Sequence, residues 1–289
     1  MCYDALVNGI PVNLFNFGRG SKTMTAKKNY TISKGENGLN YINCFSVEGK
    51  MHVTKQGNSK TGAPVGSYNL PIEQSCNHNC ECYKTKACYA CGGFYQMPDN
   101  MLSYAENLMF FLKHDNKEFC DKFCDDLKRN KNKKFRYFTI GDILNSRFFE
   151  CMIENARRMP EVKFWSYTKK YSIVNRWCDV NGIENFPKNL KIIFSHWINE
   201  DGSYFPMNNP YHFPTSEFIP YGREELVDDV THICPCSDPD VLATCDSCDH
   251  PCYKLNFGES MGLLEHSTKR TKARDKAIKE AHKKIAANA

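Results

Sequence analysis

The sequence predicts an α/β protein built on a parallel sheet. Three observations carry this expectation. Short aromatic and β-branched runs recur at Phe135–Ile140, Val162–Thr168 and Leu190–Ser195. Stretches of helical length separate them, Ser146–Met159 closed by Pro160 and Tyr171–Val180 stopped by Asn181-Gly182. The strand starts are evenly spaced, which reads as βαβαβ, because parallel neighbours need a crossover between them.

The other elements follow along the chain. Residues 1–70 are rich in Gly and Asn and hold short β-like pieces such as Tyr41–Val47, so they read as a β-rich N-terminal extension. Residues 71–267 form the α/β core. Met101–Lys113 is a helix with Leu102, Ala105, Leu108, Met109 and Leu112 as its apolar stripe. Glu118–Lys128 is a second helix, and the lysine-rich Arg129–Lys134 is a solvated loop. Tyr204–Pro220, rich in Pro, reads as a long irregular loop. Thr268–Ala289 lacks Gly and Pro and is expected to be a basic helical tail.

Composition narrows the class. Apolar residues are 41% of the 289 and aromatics 13%, ample for a core and against a disordered chain. The longest apolar run, Leu108–Leu112, is far too short to span a bilayer. The first twenty residues show neither a basic n-region nor an apolar h-region, so a cytoplasmic protein is expected. The net charge of +5 is concentrated in the tail, which holds eight Lys/Arg against two acids. A basic helix of this kind suits nucleic acid or an acidic partner, although a solvated terminal helix has the same composition.

Cysteine is the outlier, with 16 in the chain. In a reducing compartment such an excess points to metal or catalysis rather than disulfides. Cys76, Cys80, Cys82, Cys88 and Cys91 form one group; Cys234, Cys236, Cys245, Cys248 and Cys252 form another. Close spacing lets several thiolates converge on one metal or cluster. Spacing alone leaves zinc and iron–sulfur equally open, and His78 is a further candidate ligand. No C-x-x-C-H is present, which excludes c-type haem. Cys120, Cys124, Cys151 and Cys178 fall in helical patterns and read as small buried hydrophobes.

In parallel sheets the ligand site lies at the carboxyl ends of the strands. Here those ends carry Thr139, Gly141 and Asp142, then Tyr167, Thr168 and Lys169, then Ser195 and His196. Asp142, Tyr167 and Lys169 are the candidate substrate-facing residues. Neither a Walker loop nor a nucleophile elbow is present.

Several motifs occur in an order that resembles one family. Asn58-Ser-Lys-Thr-Gly62 precedes Ser75-Cys76-x3-Cys80-x7-Cys88-Tyr89-Ala90. Gly141-Asp142 and Tyr167-Thr168 end successive strands, and Cys234-Pro235 and Cys245-x2-Cys248-x3-Cys252 follow. Across roughly residues 54–265 the chain resembles the bacteriophage gene-product-88 type, itself similar to radical S-adenosylmethionine (SAM) enzymes. The resemblance implies a partial (β/α) barrel with cysteine-rich metal-binding loops at both ends of the core. It implies that Cys76, Cys80 and Cys88 bind a [4Fe–4S] cluster that leaves one iron open for SAM. It also implies a second site at Cys234, Cys245, Cys248 and Cys252, holding a cluster or zinc. A phage protein of this kind works in the host cytoplasm, on a substrate the sequence does not name.

The chain departs from the radical SAM spacing C-x3-C-x2-C. Cys76-x3-Cys80 fits, but Cys82 falls one residue early and Cys88 lies further along. Cluster binding is therefore better supported than SAM cleavage. Two functions remain: an iron–sulfur redox or radical-SAM-like enzyme, or a metal-braced module that binds nucleic acid or a host protein.

Overall fold

The computed structural model describes residues 6–7, 10–11, 24–27, 30–34, 40–57, 61–76, 88, 90, 93–197, 203–220, 224–237, 241 and 243–264. Cys80, Cys82, Cys91, His78 and the basic tail lie outside these residues. Two small antiparallel pieces come first. β1 (Leu6–Val7) pairs with β2 (Ile10–Pro11), and β3 (Met24–Lys27), β4 (Tyr30–Lys34) and β5 (Asn40–Ile42) form a three-stranded sheet. After β5 the expected strand gives way to a 3-10 turn, Cys44–Ser46, because the Asn43 side chain accepts from Phe45 N and caps it.

The main sheet begins at β6 (Val65–Tyr68). The short α1 (Ile72–Ser75), then α2 (Pro98–Lys113) and α3 (Asn116–Asn130), lead to β7 (Lys134–Tyr137). α4 (Ser146–Arg158), β8 (Lys163–Thr168), α5 (Tyr171–Asn181) and β9 (Leu190–His196) follow, then β10 (Thr215–Ile219), β11 (His232–Ile233) and β12 (Ser260–Leu264). The strand order is β6-β7-β8-β9-β10-β12-β11, and every neighbouring pair is parallel. The fold is thus mixed α/β on a seven-stranded parallel sheet, and no closed barrel forms among the described residues.

The helices start and stop where local chemistry dictates. Asp115 accepts from Glu118 N at 2.8 Å, and Glu118 reaches back to Asp115 N, a reciprocal cap that fixes the start of α3. Asn145 caps α4 through Phe148 N at 2.9 Å. Phe111, Phe119, Phe123 and Phe148 on these helices pack against Phe135, Tyr137, Phe164 and Phe194 of the sheet, all fully buried. Cys120, Cys124, Cys151 and Cys178 are buried as expected.

The other face of the sheet is covered differently. Side chains alternate along a strand, so Val65, Trp165, Ile193 and Met261 point away from the helices. They pack against Cys252 and Leu255, with Tyr253 over the Trp165 ring at 5.3 Å. Handedness explains this arrangement. Steps from β6 through β10 run one way across the sheet, and right-handed crossovers put their connections on the helical face. β11 to β12 steps backwards, so the same rule sends Cys234, Cys245, Cys252 and Leu255 of their connection to the opposite face.

Three sequence expectations need correction. Tyr204–Pro220 is not all irregular, since Thr215–Ile219 pairs with both β9 and β12. Lys134 is not in a solvated loop; it opens β7 and its Nζ lies 2.5 Å from Asp246 Oδ1. β7 stops at Tyr137 rather than Ile140. Phe138 there takes a φ of +57°, and the next two backbone N–H groups turn onto Asn69 instead of continuing the ladder.

Candidate metal and strand-end site

The second cysteine group is assembled by three short turns. Cys234 leaves β11 with its N–H donating to Gly262 O at 2.9 Å, and the turn Pro235–Ser237 closes when Ser237 Oγ donates to Cys234 O at 2.6 Å. Ser247 and Thr244 bond reciprocally to fold the turn that carries Cys245 and Cys248. Cys252 opens a third turn, Cys252–Lys254. Together they bring Cys234, Cys236, Cys245, Cys248, Cys252 and His250 around one small cavity floored by Trp165 and Met261. The Lys134–Asp246 pair ties this segment to β7. Gly62 makes room for it: a Cβ there would lie 2.9 Å from Thr244 Oγ1 and 3.0 Å from Asp246 Cβ.

All described cysteines are free thiols. The Cys236 thiol hydrogen-bonds both Cys234 and Cys245. That donation lowers the Cys234 thiol against the cost of burial. It lowers Cys245 to about 6, opposed by burial and helped by the Arg136 charge. Cys236, as the donor, is raised. Burial pushes Cys248 up to about 11 and raises Cys252, whose Sγ lies 2.7 Å from the Tyr167 hydroxyl. Five thiols and an imidazole are a donor set that suits a thiophilic metal or cluster. Among the described residues, however, no three His, Cys, Asp or Glu side chains are already arranged to hold a metal ion.

Of the first group, Cys76 and Cys88 are described. Cys76 ends α1, its N–H donating to Ile72 O at 3.0 Å. Both cysteines pack against the cluster of Ile72, Ala90, Tyr104 and Ile140, beyond the carboxyl ends of β6 and β7. Glu73 lines the adjoining cavity with Ile72, Tyr95 and Ile140, and burial raises its carboxyl to about 7. Arg136 carries a charge felt beside the first group and within the second. Its guanidinium sits 4.8 Å from the Tyr167 ring, and its charge acts on Tyr95 beside Cys88 and on Cys245 and Cys252.

The strand ends form a separate polar cluster. Asp142 Oδ1 accepts from Thr168 Oγ1 at 2.6 Å and from Ile143 N at 2.7 Å; Oδ2 accepts from Lys169 N at 3.0 Å. Burial raises the Asp142 carboxyl, and these donors oppose the rise. Asp142 N donates to Ser75 Oγ at 3.1 Å, which couples the end of β7 to the residue before Cys76. Gly141 permits the approach. With φ at +87°, its Cβ would lie 2.6 Å from Leu70 O and 2.8 Å from Ser75 Oγ. Asn69 Oδ1 accepts from Thr139 N, Thr139 Oγ1 and Ile140 N, locking the end of β6 to the end of β7.

Lys169 Nζ donates to Ser195 Oγ at 3.3 Å and lies 5.0 Å from the Trp197 ring centre. His196 Nδ1 lies 2.7 Å from Glu217 Oε2 and Nε2 lies 2.9 Å from Phe205 O, and both bonds form when the ring carries both protons. Asp142 and Lys169 thus meet through the Lys169 backbone N–H, and His196 lies at the end of the next strand, β9, on Glu217. Tyr167 does not join them; the pleat turns it to the other face, against Cys252 and Arg136. Asn69, Glu73 and Arg136 were missed. The partners that give them meaning are distant in sequence, and no local pattern marks them.

Among the described residues no helix is long and apolar enough to cross a membrane. No curated protein and no solved structure matches the chain. A family model described as gene product 88 matches residues 27–212. The match begins earlier than the motifs suggested and ends before β10, so the second cysteine group lies beyond it. It covers more than half of the chain, which therefore belongs to the gene product 88 family, the bacteriophage type that its motifs resemble.

Proposed function

We propose that this phage-type protein is an iron–sulfur redox or radical-SAM-like enzyme, with Cys76, Cys80 and Cys88 as ligands of a [4Fe–4S] cluster. The observation that carries it is the location of Cys76 and Cys88 beyond the carboxyl ends of β6 and β7, next to the Asp142 cluster. A cluster on three thiolates supplies one-electron chemistry and keeps one iron without a protein ligand. The sequential strand order β6 to β10 is that of a partial (β/α) barrel, which supports the same reading.

The chain's own residues have definable tasks in it. Asp142 holds the Cys76 segment and the Lys169 backbone in register. Lys169 presents a cation at the strand ends, and Trp197 offers a ring beside it. Tyr167 stands against Cys252, and the Arg136 charge favours thiolate at Cys245. Cys234, Cys245, Cys248 and Cys252 bind the second metal, a cluster or zinc. SAM is the co-ligand the reading includes, and the host cytoplasm is its setting.

Purification without oxygen tests it. Iron and acid-labile sulfide should co-purify, and Cys76→Ser or Cys88→Ser should lose the share belonging to the first group. A colourless protein with zinc and no sulfide refutes it. Formation of 5′-deoxyadenosine from SAM under reduction tests the radical branch.

A second reading, a metal-braced binding module, is favoured by the position of the second thiol group. It packs on the apolar sheet face, where it can brace the fold without reacting. Its test is nucleic-acid binding that weakens steeply with salt and is lost on truncation before Thr268.

A further inference from the structure

The sheet edge opposite the candidate site carries the amino ends of the strands, and lysines from separate segments are tied together there. Lys131 ends α3 with a φ of +57°, its N–H donating to Leu127 O and Lys128 O. Lys133 O accepts from Lys163 N at 2.9 Å, and Lys163 faces Lys134 in the register of β7 and β8. Asn132 Nδ2 donates to Lys55 O at 3.1 Å, which lays the segment before β6 along the same turn. Asn189 Nδ2 donates to Ala156 O, Met159 O and Val162 O at 3.0 Å each, and Asn189 O accepts from Phe164 N at 2.8 Å, so residues 188–189 are fixed beside the start of β8. Lys55, Lys131, Lys133, Lys163 and Lys188 are all exposed. None of them pairs with a carboxylate among the described residues. Of the acids on this edge, Asp126 and Asp246 are taken by Arg129 and Lys134, while Glu161 and Glu184 stand exposed in the turns.

The same edge ends on an aromatic ring. Phe257, just before β12, is 49% exposed, and Lys191 Nζ lies 5.6 Å from its ring centre. Gly258 N donates to His212 O at 2.7 Å, which seats this loop at the start of β10. From β7 to β12 there are four strand steps, so the track from Lys133 to Phe257 runs about 19 Å.

We propose that this amino edge binds single-stranded nucleic acid, with phosphates along the lysines and a base stacked on Phe257. The proposal rests on neither cysteine group and not on the basic tail. Like charges on adjoining strand starts repel one another. A line of phosphates offsets that repulsion and gives up its counterions on binding. An acidic peptide would use the lysines alone, whereas every base has a face that stacks on an exposed ring.

The test uses the full chain with its native metal content and a fluorescently labelled oligothymidylate, followed by anisotropy across a range of salt. Lys133→Gln combined with Lys163→Gln removes two phosphate contacts. It should lower the slope of log affinity against log salt by about 1.4 and weaken binding about 25-fold at about 0.1 M salt. Lys113→Gln combined with Lys117→Gln makes the same change in net charge at the far end of the helices and should leave the slope as it was. Phe257→Ala should weaken binding about 5-fold or more at an unchanged slope. Truncation before Thr268 should leave the effect of the Lys133/Lys163 pair in place. Equal losses in the two lysine pairs, or binding abolished by the truncation alone, overturn the proposal. So does a polyglutamate that competes as well as unlabelled oligothymidylate, which would make the partner an acidic protein.

Discussion

Replacement of Gly141 by Ala should destabilise the protein by about 2–5 kcal/mol. Two separate costs make up this figure. The first is conformational, since φ is +87°, where a Cβ is disfavoured by about 1–2 kcal/mol. The second is steric. The new methyl would sit 2.6 Å from Leu70 O, against an ordinary contact of 3.4 Å and above, so one backbone segment must move. A close-packed interior resists such a shift, and overpacking costs about 1–3 kcal/mol. The segment that must yield runs from Leu70 to Ser75 and carries Cys76. Gly258 provides the control, because its φ is +84° and nothing lies within 4 Å of a Cβ there. Gly258→Ala should therefore show only the first cost, about 1–2 kcal/mol. Urea unfolding followed by fluorescence of the buried Trp165 reads both values at unchanged slope. Equal losses in the two variants would refute the close-approach argument.

Other expectations rest on the same contacts. Asp142→Asn keeps the acceptor for Thr168 but sets an amide N–H against Lys169 N, and should cost about 2–4 kcal/mol in urea unfolding. Glu73 should make stability fall as pH rises. Its folded carboxyl titrates near 7 against an ordinary 4.5, so the unfolded chain ionises first and stability drops between those values. Glu73→Gln should flatten that decline and gain about 1–3 kcal/mol at pH 8, discounted for partial solvent contact; an unchanged pH profile would count against the buried carboxyl. His196 acts in the same sense by a different route. Burial lowers its affinity for protons, but Glu217 outweighs burial and raises it above 6.5. Its contribution is complete below that value and disappears as pH rises through the higher folded value. Glu217→Gln should therefore lose about 1–3 kcal/mol at pH 6 and less at pH 9, measured by thermal or urea unfolding.

The legible part of the fold is the part set by local periodicity. α4 announces itself by its Asn145 cap and by an apolar stripe that includes Phe148, Phe149, Met152 and Ala156, and β8 by a compact aromatic run. The missed strands have no such signature. Val65-Gly-Ser-Tyr68 contains a glycine because Asn132 presses on the backbone there; a Cβ would lie 2.6 Å from its Nδ2. Thr215–Ile219 follows two prolines and gains its identity from β9 and β12 on either side. The end of β7 was misplaced for a similar reason. Thr139 and Ile140 are good strand residues, but Asn69 takes their N–H groups. In the site, the grouping of cysteines was visible and the approach of Tyr167 to Cys252 was not. Strand alternation separates Tyr167 from Asp142, and that follows only once the pleat is known.

The backward step from β11 to β12 has a consequence for biogenesis. Trp165, Ile193 and Val65 come from three strands made long before residues 234–259 leave the ribosome. Until that stretch arrives, these side chains lack the Cys252, Leu255 and Tyr253 that pack over them. Synthesis proceeds from the amino terminus at about 5–20 residues per second, so this interval lasts several seconds. Chains halted before residue 230 should collect in the insoluble fraction even though every helix of the described core has already been made. The cysteine-rich stretch thus arrives on β6 to β10, and β12, which brings Met261 to the same cavity and joins β11 to the sheet, closes the assembly after it.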